Sequence, residues 1–129
     1  MMLLHLTRNL ILQSILGCEY RMQDNKTLWE ILVPGYSNQG KEYELDYHKE
    51  WDKQVRGIAG GLTVLKTAKG QWISLDDKLF VEKMIPVRIH CTENQIDKII
   101  QITMKHYNQE AVLAYEISSN VKLVYKAKT

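Results

Sequence analysis

Gly60-Gly61-Leu62-Thr63-Val64-Leu65, followed by Lys69-Gly70-Gln71-Trp72-Ile73, is the stretch whose reading decides the fold. It lies where one half of the chain ends and a similar half begins. Upstream, Tyr43, Tyr47, Trp51, Val55 and Ile58 recur at spacings of four, four, four and three, which is one face of a helix. Glu44, Asp46, Glu50, Asp52 and Lys53 fall on its other faces. Gly57, Gly60 and Gly61 are placed to stop that helix, because glycine takes positive φ without steric cost. Leu62–Leu65 then reads as a strand, Lys66–Lys69 as a loop, Gln71–Ser74 as a short strand and Asp76-Asp77-Lys78 as a turn.

Working outward, Lys26–Val33 is β-prone and Pro34-Gly35 ends it. Leu79–Cys91 reads as a long strand. Pro86 inside it has no amide to donate, which predicts an edge position or a bulge. Thr92 and Gln95 have the spacing of a capping box, and Ile96, Ile99, Ile100, Thr103, Met104 and Tyr107 form the stripe of a second helix closed near Asn108. Ala111–Ile117 and Val121–Tyr125 read as two more strands around a turn at Ser118-Ser119-Asn120.

Strand, helix, strand thus occurs twice: Trp29–Val33 to Leu62–Leu65, then Met84–Ile89 to Val112–Tyr115. This predicts an α+β, ferredoxin-like (split βαβ) antiparallel sheet with two helices on one face, plus an extra hairpin and a C-terminal strand. The face without helices must be covered or tolerate water. Trp29, Trp72, Phe80 and Tyr115 supply apolar area for a partner, so a homodimer or higher homo-oligomer with facing sheets is expected.

Gly60-Gly61-Leu62-Thr63-Val64, Gly70-Gln71-Trp72 and Asn108-Gln109-Glu110-Ala111-Val112 resemble, in that order, the pattern of a family of small uncharacterised bacterial and phage proteins. The resemblance covers roughly residues 28 to 117. It implies the ferredoxin-like βαββαβ order, and some relatives look like lipoproteins. It brings no activity, so it assigns no catalytic residue.

Composition limits the function classes. The chain has 129 residues with 17 basic and 15 acidic side chains, a net charge of +2, and 45% hydrophobic residues. That is one globular domain with too little positive charge for a nucleic-acid footprint, so no nucleic-acid partner is expected. The aromatic signature of RNA-recognition domains is also absent. Residues 22–129 are read as the domain. Residues 1–21 are read as a leader, an extension or a start-site artefact with Met22 as the true start. Within them Ile15-Leu16-Gly17-Cys18 loosely resembles a lipoprotein cleavage box. Lipidation at Cys18 would give a membrane-anchored form; otherwise a cytoplasmic protein is expected. Cys91 ends an apolar strand and reads as a buried, reduced thiol.

Three sets of residues could carry chemistry. Arg88 and His90 are two apart on one strand, share a sheet face and suit an anionic group such as a phosphate or carboxylate. Lys66, Lys69 and Trp72 put two amines and an indole on a loop that could close over a nucleotide-like ligand. His48 lies four residues before Asp52 on the first helix, so His48, or His90 in its place, is a candidate acid–base. The histidines show no metal-ligand spacing, and neither a metal nor a cofactor is expected. Gly57–Gly61 follows a helix and precedes a strand, the reverse of a phosphate loop. The expectation is therefore a ligand-binding or interaction protein sequestering a small anionic, nucleotide-like molecule. The alternatives are a small dimeric enzyme with a histidine acid–base, and an envelope-anchored lipoprotein of structural role.

Overall fold

Alternation along the first strand sets the architecture. The computed structural model describes residues 25–127. The reading of residues 1–21, Cys18 included, lies outside them. Thr27–Pro34 forms β1. Its Ile31 and Val33 are buried in the core with Trp29 packed beside them, while Leu28, Glu30 and Leu32 alternate onto the other face. Helix α1 spans Leu45–Ala59. Strands β2, Thr63–Val64, and β3, Ala68–Ile73, follow, then the long β4, Leu79–Cys91. Helix α2 covers Glu93–His106, and β5 covers Ala114–Ser118.

The sheet order is β2-β4-β1-β5, with β3 also paired to β4, and every pairing is antiparallel. The two short strands lie in succession along one edge of β4. Thr63 and Val64 stand opposite Arg88 and Val87, and Ala68–Ile73 opposite Met84–Leu79. Both helices cover one face. Trp51 and Val55 of α1 and Ile96, Ile99 and Thr103 of α2 meet Ile31, Val33, Val87, Ile89 and Cys91. This is the expected α+β, ferredoxin-like arrangement, and β3 with the start of β4 forms the extra hairpin.

The capping box at α2 is present in both directions: Gln95 N–H donates to Thr92 Oγ1 at 3.2 Å, and Thr92 N–H to Gln95 Oε1 at 2.9 Å. Gln95 Nε2 also donates to the Ile58 carbonyl at 2.9 Å, so the cap of one helix ties down the end of the other. Gly60 closes α1 at φ 87°, its N–H donating to the Arg56 carbonyl. Asn108 takes φ 51° just past α2. In the core, Trp51 Nε1 donates to Thr103 Oγ1 at 2.9 Å and that hydroxyl donates to the Ile99 carbonyl at 2.6 Å, which satisfies two buried polar groups at once.

The structure corrects several expectations. Gly57 lies inside α1, because a helix interior tolerates glycine at a cost of about 1 kcal/mol. Ala68 and Lys69 are strand, not loop, since they continue the pairing with Met84 and Lys83. Residues 121–127 form no strand: their alternation is present, but no strand among the described residues pairs with them, and Leu123 and Val124 stay exposed. Pro86 sits in neither an edge strand nor a bulge. β4 has neighbours on both sides and runs in continuous register with β1, Pro86 opposite Leu32. The irregularity lies in the neighbouring strand instead. The Pro86 carbonyl accepts from Leu65 N–H at 2.9 Å, so its nitrogen faces the gap between β2 and β3, where the missing amide leaves the pairing with β1 intact.

Candidate functional site

The face of the sheet without helices carries Arg88 and His90, as their shared parity requires. Each is opposite a β1 residue of that face, Arg88 opposite Glu30 and His90 opposite Leu28. Glu30 is only 8% exposed, an unusual place for a carboxylate. It is satisfied from both sides. Arg88 Nε donates to its Oε1 at 3.1 Å, and the Tyr115 hydroxyl of β5 donates to its Oε2. The three residues come from β1, β4 and β5, so the ion pair fixes Arg88 across the middle of the sheet. The bond uses the Nε side of the guanidinium fork and leaves the terminal nitrogens for another acceptor.

Arg88 and His90 line a cleft of about 420 Å³ with Lys26, Thr63 and two residues of the C-terminal segment, Leu123 and Tyr125. Its floor includes Gly60 and Gly61, which end α1, so the helix-stop glycines also shape this cleft. The Nε2 atom of His90 is buried and has no hydrogen-bond partner among the described residues. A buried polar atom without a partner costs about 1–3 kcal/mol, and a ligand acceptor at that nitrogen would recover it.

The other sequence candidates are divided. Lys69 and Trp72 are three apart on β3, so alternation sends them to opposite faces. Trp72 stacks on its cross-strand partner Phe80, ring centroids 4.6 Å apart. Lys69 lines a second, larger cleft of about 610 Å³ together with His48. Lys66 lies in neither cleft. Arg88 and Lys83 are five residues apart on β4, about 17 Å at strand rise, with opposite parity. The two clefts are therefore separate, and one small ligand cannot touch both His90 and Lys69.

His48 is held by a group the sequence did not suggest. Its Nδ1 is 2.7 Å from the hydroxyl of Tyr107, a fully buried residue 59 positions away at the end of α2. Tyr43 Oη donates to the Tyr107 carbonyl at 3.1 Å, Tyr47 Oη to the His106 carbonyl, and His106 Nε2 lies 2.8 Å from the Tyr47 carbonyl. Burial lowers the His48 pKa, outweighing Asp52, which raises it. The same burial raises the Tyr107 and Asp52 pKa values. Burial thus favours the neutral imidazole form of His48, positioned by a phenol. The i,i+4 spacing to Asp52 was visible in the sequence. The contact to Tyr107 was not, because nothing local links the two residues.

Cys91 is a free buried thiol with its pKa raised to about 11 by burial, an inert group by the usual criterion. Among the described residues no three His, Cys, Asp or Glu side chains are grouped to hold a metal ion, and no helix is long and apolar enough to cross a membrane.

No protein-family model and no curated protein matches the chain. Solved structures do. A divalent cation tolerance protein, CutA1, from Thermus thermophilus superposes with a TM-score of 0.58 at 7% identity, over 76% of this chain and 87% of that one. A phage SAM lyase in complex with S-methyl-5'-thioadenosine gives 0.57 at 14% identity, over 75% and 84%. CutA from Xylella fastidiosa gives 0.56 at 16%, over 78% and 88%. At these identities the likeness is one of fold, and a fold of this kind hosts unrelated activities.

Proposed function

We propose that this chain is a small-molecule-binding protein whose ligand carries a phosphate or carboxylate held by Arg88 and His90. The observation that carries the reading is His90, whose buried Nε2 has no partner among the described residues, lining the same cleft as the ion-paired Arg88 and Lys26. An anion there would accept from all three, and Arg88 is already oriented for it by Glu30, which lowers the ordering cost of binding. A nucleotide-like molecule is the concrete form: the cleft volume suits one and Tyr125 offers a ring beside the cations. The phage SAM lyase of this fold that binds a nucleoside thioether supports that choice of class. Sequestration rather than turnover is the role in this reading. The exposed residues Tyr115, Ile117 and Leu113 on β5 and its approach support a homo-oligomer built on the helix-free face.

Native mass spectrometry of the protein as purified from expressing cells tests both points. The expected spectrum shows an oligomer carrying a small-molecule adduct, and Arg88→Gln with His90→Gln should release the adduct. A wild-type spectrum without adduct under gentle conditions defeats the reading.

A second reading has its own observation. A neutral His48 imidazole, oriented through Nδ1 by Tyr107 in a cleft, has the arrangement of a general base. A substrate screen in which His48→Ala retains full turnover, where any turnover is found, would rule out that mechanism.

A further inference from the structure

The cleft beneath the β3–β4 hairpin is a site in its own right, independent of Arg88 and His90. Three walls form it. The first is the turn after β1, where Tyr36 bridges to Glu42 and Tyr43 N–H donates to the Gly35 carbonyl. The second is the start of α1, with His48. The third is the base of the hairpin, anchored to the turn by Gly35 N–H donating to the Lys83 carbonyl at 3.1 Å.

On that third wall Lys69 and Lys83 are direct cross-strand partners. Side chains so paired share a face, with Cβ atoms about 5 Å apart, and two like charges there repel. Neither amine has an ion-pair partner among the described residues, where Arg88–Glu30 is the one pair found. Lys83 Nζ lies over the Tyr36 ring, 5.7 Å from its centroid. Two adjacent ammonium groups over a concave surface are matched by a group with two or more anionic oxygens, which a phosphate monoester supplies and a single carboxylate does not. Beyond the amines the wall turns aromatic, with Tyr36 and Tyr43. His48 completes it with Nε2, for which the described residues provide no partner. The volume of about 610 Å³ lies within the range of small-ligand pockets.

From this geometry we infer that the hairpin cleft is a second binding site, for a planar ring carrying a phosphate monoester, the build of a nucleoside monophosphate. Lys69 and Lys83 take the phosphate, relieving their mutual repulsion. Tyr36 and Tyr43 flank the ring, and His48 Nε2 hydrogen-bonds to it. Because this cleft and the Arg88–His90 cleft lie on opposite faces of β4, they bind separate molecules.

The test uses the full chain with Arg88→Gln and His90→Gln introduced, so that only the hairpin cleft is left, and AMP, adenosine and inorganic phosphate as probes. AMP should still bind, measured by calorimetry, and should shift the NMR signals of His48 and Tyr36. Adenosine and phosphate alone should each bind at least tenfold more weakly. Adding Lys69→Gln and Lys83→Gln should weaken AMP at least tenfold without lowering the thermal midpoint, since both lysines are exposed and their mutual repulsion is removed. Absence of AMP binding in the Arg88/His90 variant overturns the proposal, as does AMP affinity that is indifferent to the two lysines. Failure of the Arg88–His90 reading shows separately, as a wild-type native spectrum without adduct, or as an adduct that is lost with Lys69→Gln and Lys83→Gln but kept with Arg88→Gln and His90→Gln.

Discussion

Strand β4 has two halves with the same alternation and opposite fates. From Met84 to Cys91 it pairs throughout with β1 and, at Val87 and Arg88, with β2 on its other side, under both helices, and Val87, Ile89 and Cys91 are fully buried. From Leu79 to Lys83 it pairs with β3 alone and projects as an arm on which Leu79 is 63% exposed and Val81 53%. Apolar residues every second position are present in both. The difference shows that alternation specifies a strand and a face, while burial depends on whether another layer reaches that face. In the body the helices do. On the arm, Trp72 and Phe80 cover each other, and nothing else among the described residues covers the rest.

The largest expected effect separates the halves at once. Ile89→Ala in the body removes a fully buried side chain and should cost about 2–5 kcal/mol in chemical denaturation. If Phe80→Ala on the arm costs as much, arm and body share one core and the comparison fails. Next comes Thr103→Val, which leaves Trp51 Nε1 without its acceptor inside the helix layer. A loss of about 1–3 kcal/mol is expected, with Thr103→Ser well below it because the hydroxyl is retained. Phe80→Ala itself should cost about 1 kcal/mol, the worth of a half-exposed aromatic pair, while lowering the subunit count in native mass spectra if the arm packs between copies.

The smallest effect is on pH dependence. The His48 pKa is lowered in the folded chain, so its contribution to stability is present above the unfolded value of about 6.5 and is lost as pH falls through the folded value. Cys91 and Tyr107 have raised values, so their contribution holds below the unfolded values and is lost as pH rises toward about 11 for Cys91. Thermal midpoints should therefore decline on both sides of a plateau. His48→Gln should flatten the acid side and leave the alkaline side unchanged.

Much of the body was legible because its determinants are local. The Thr92–Gln95 box, the Trp51–Val55 stripe and the left-handed Gly60 are each written within one turn of chain, and all three are in place. The βαβ repetition then fixed the order of the layers. What the sequence hid depends on partners far along the chain. Glu30 and Arg88 are 58 residues apart and His48 and Tyr107 59, so neither contact leaves a local trace. The Val121–Tyr125 alternation misled because a strand requires a neighbour. Pro86 misled in a related way, since a missing amide matters only where a neighbouring strand asks for it. The candidate site was half legible: parity placed Arg88 and His90 together, and the same rule, applied to Lys69 and Trp72, would have separated them.

The break between β2 and β3 has a consequence for how the molecule opens. At Pro86 the long strand has no amide, and across from it no strand residue stands, only Leu65 just past β2 closing one bond. Along its outer side the strand ladder is thus interrupted at Ile85 and Pro86, between the residues paired with β3 and those paired with β2. Unfolding of the arm can stop at that seam without drawing on the body, which makes the two halves of β4 separate cooperative units. Amides of 87–91 should exchange with solvent only on global unfolding and those of 79–83 through a cheaper local event. The step between them falls at the one residue that carries no proton to report it.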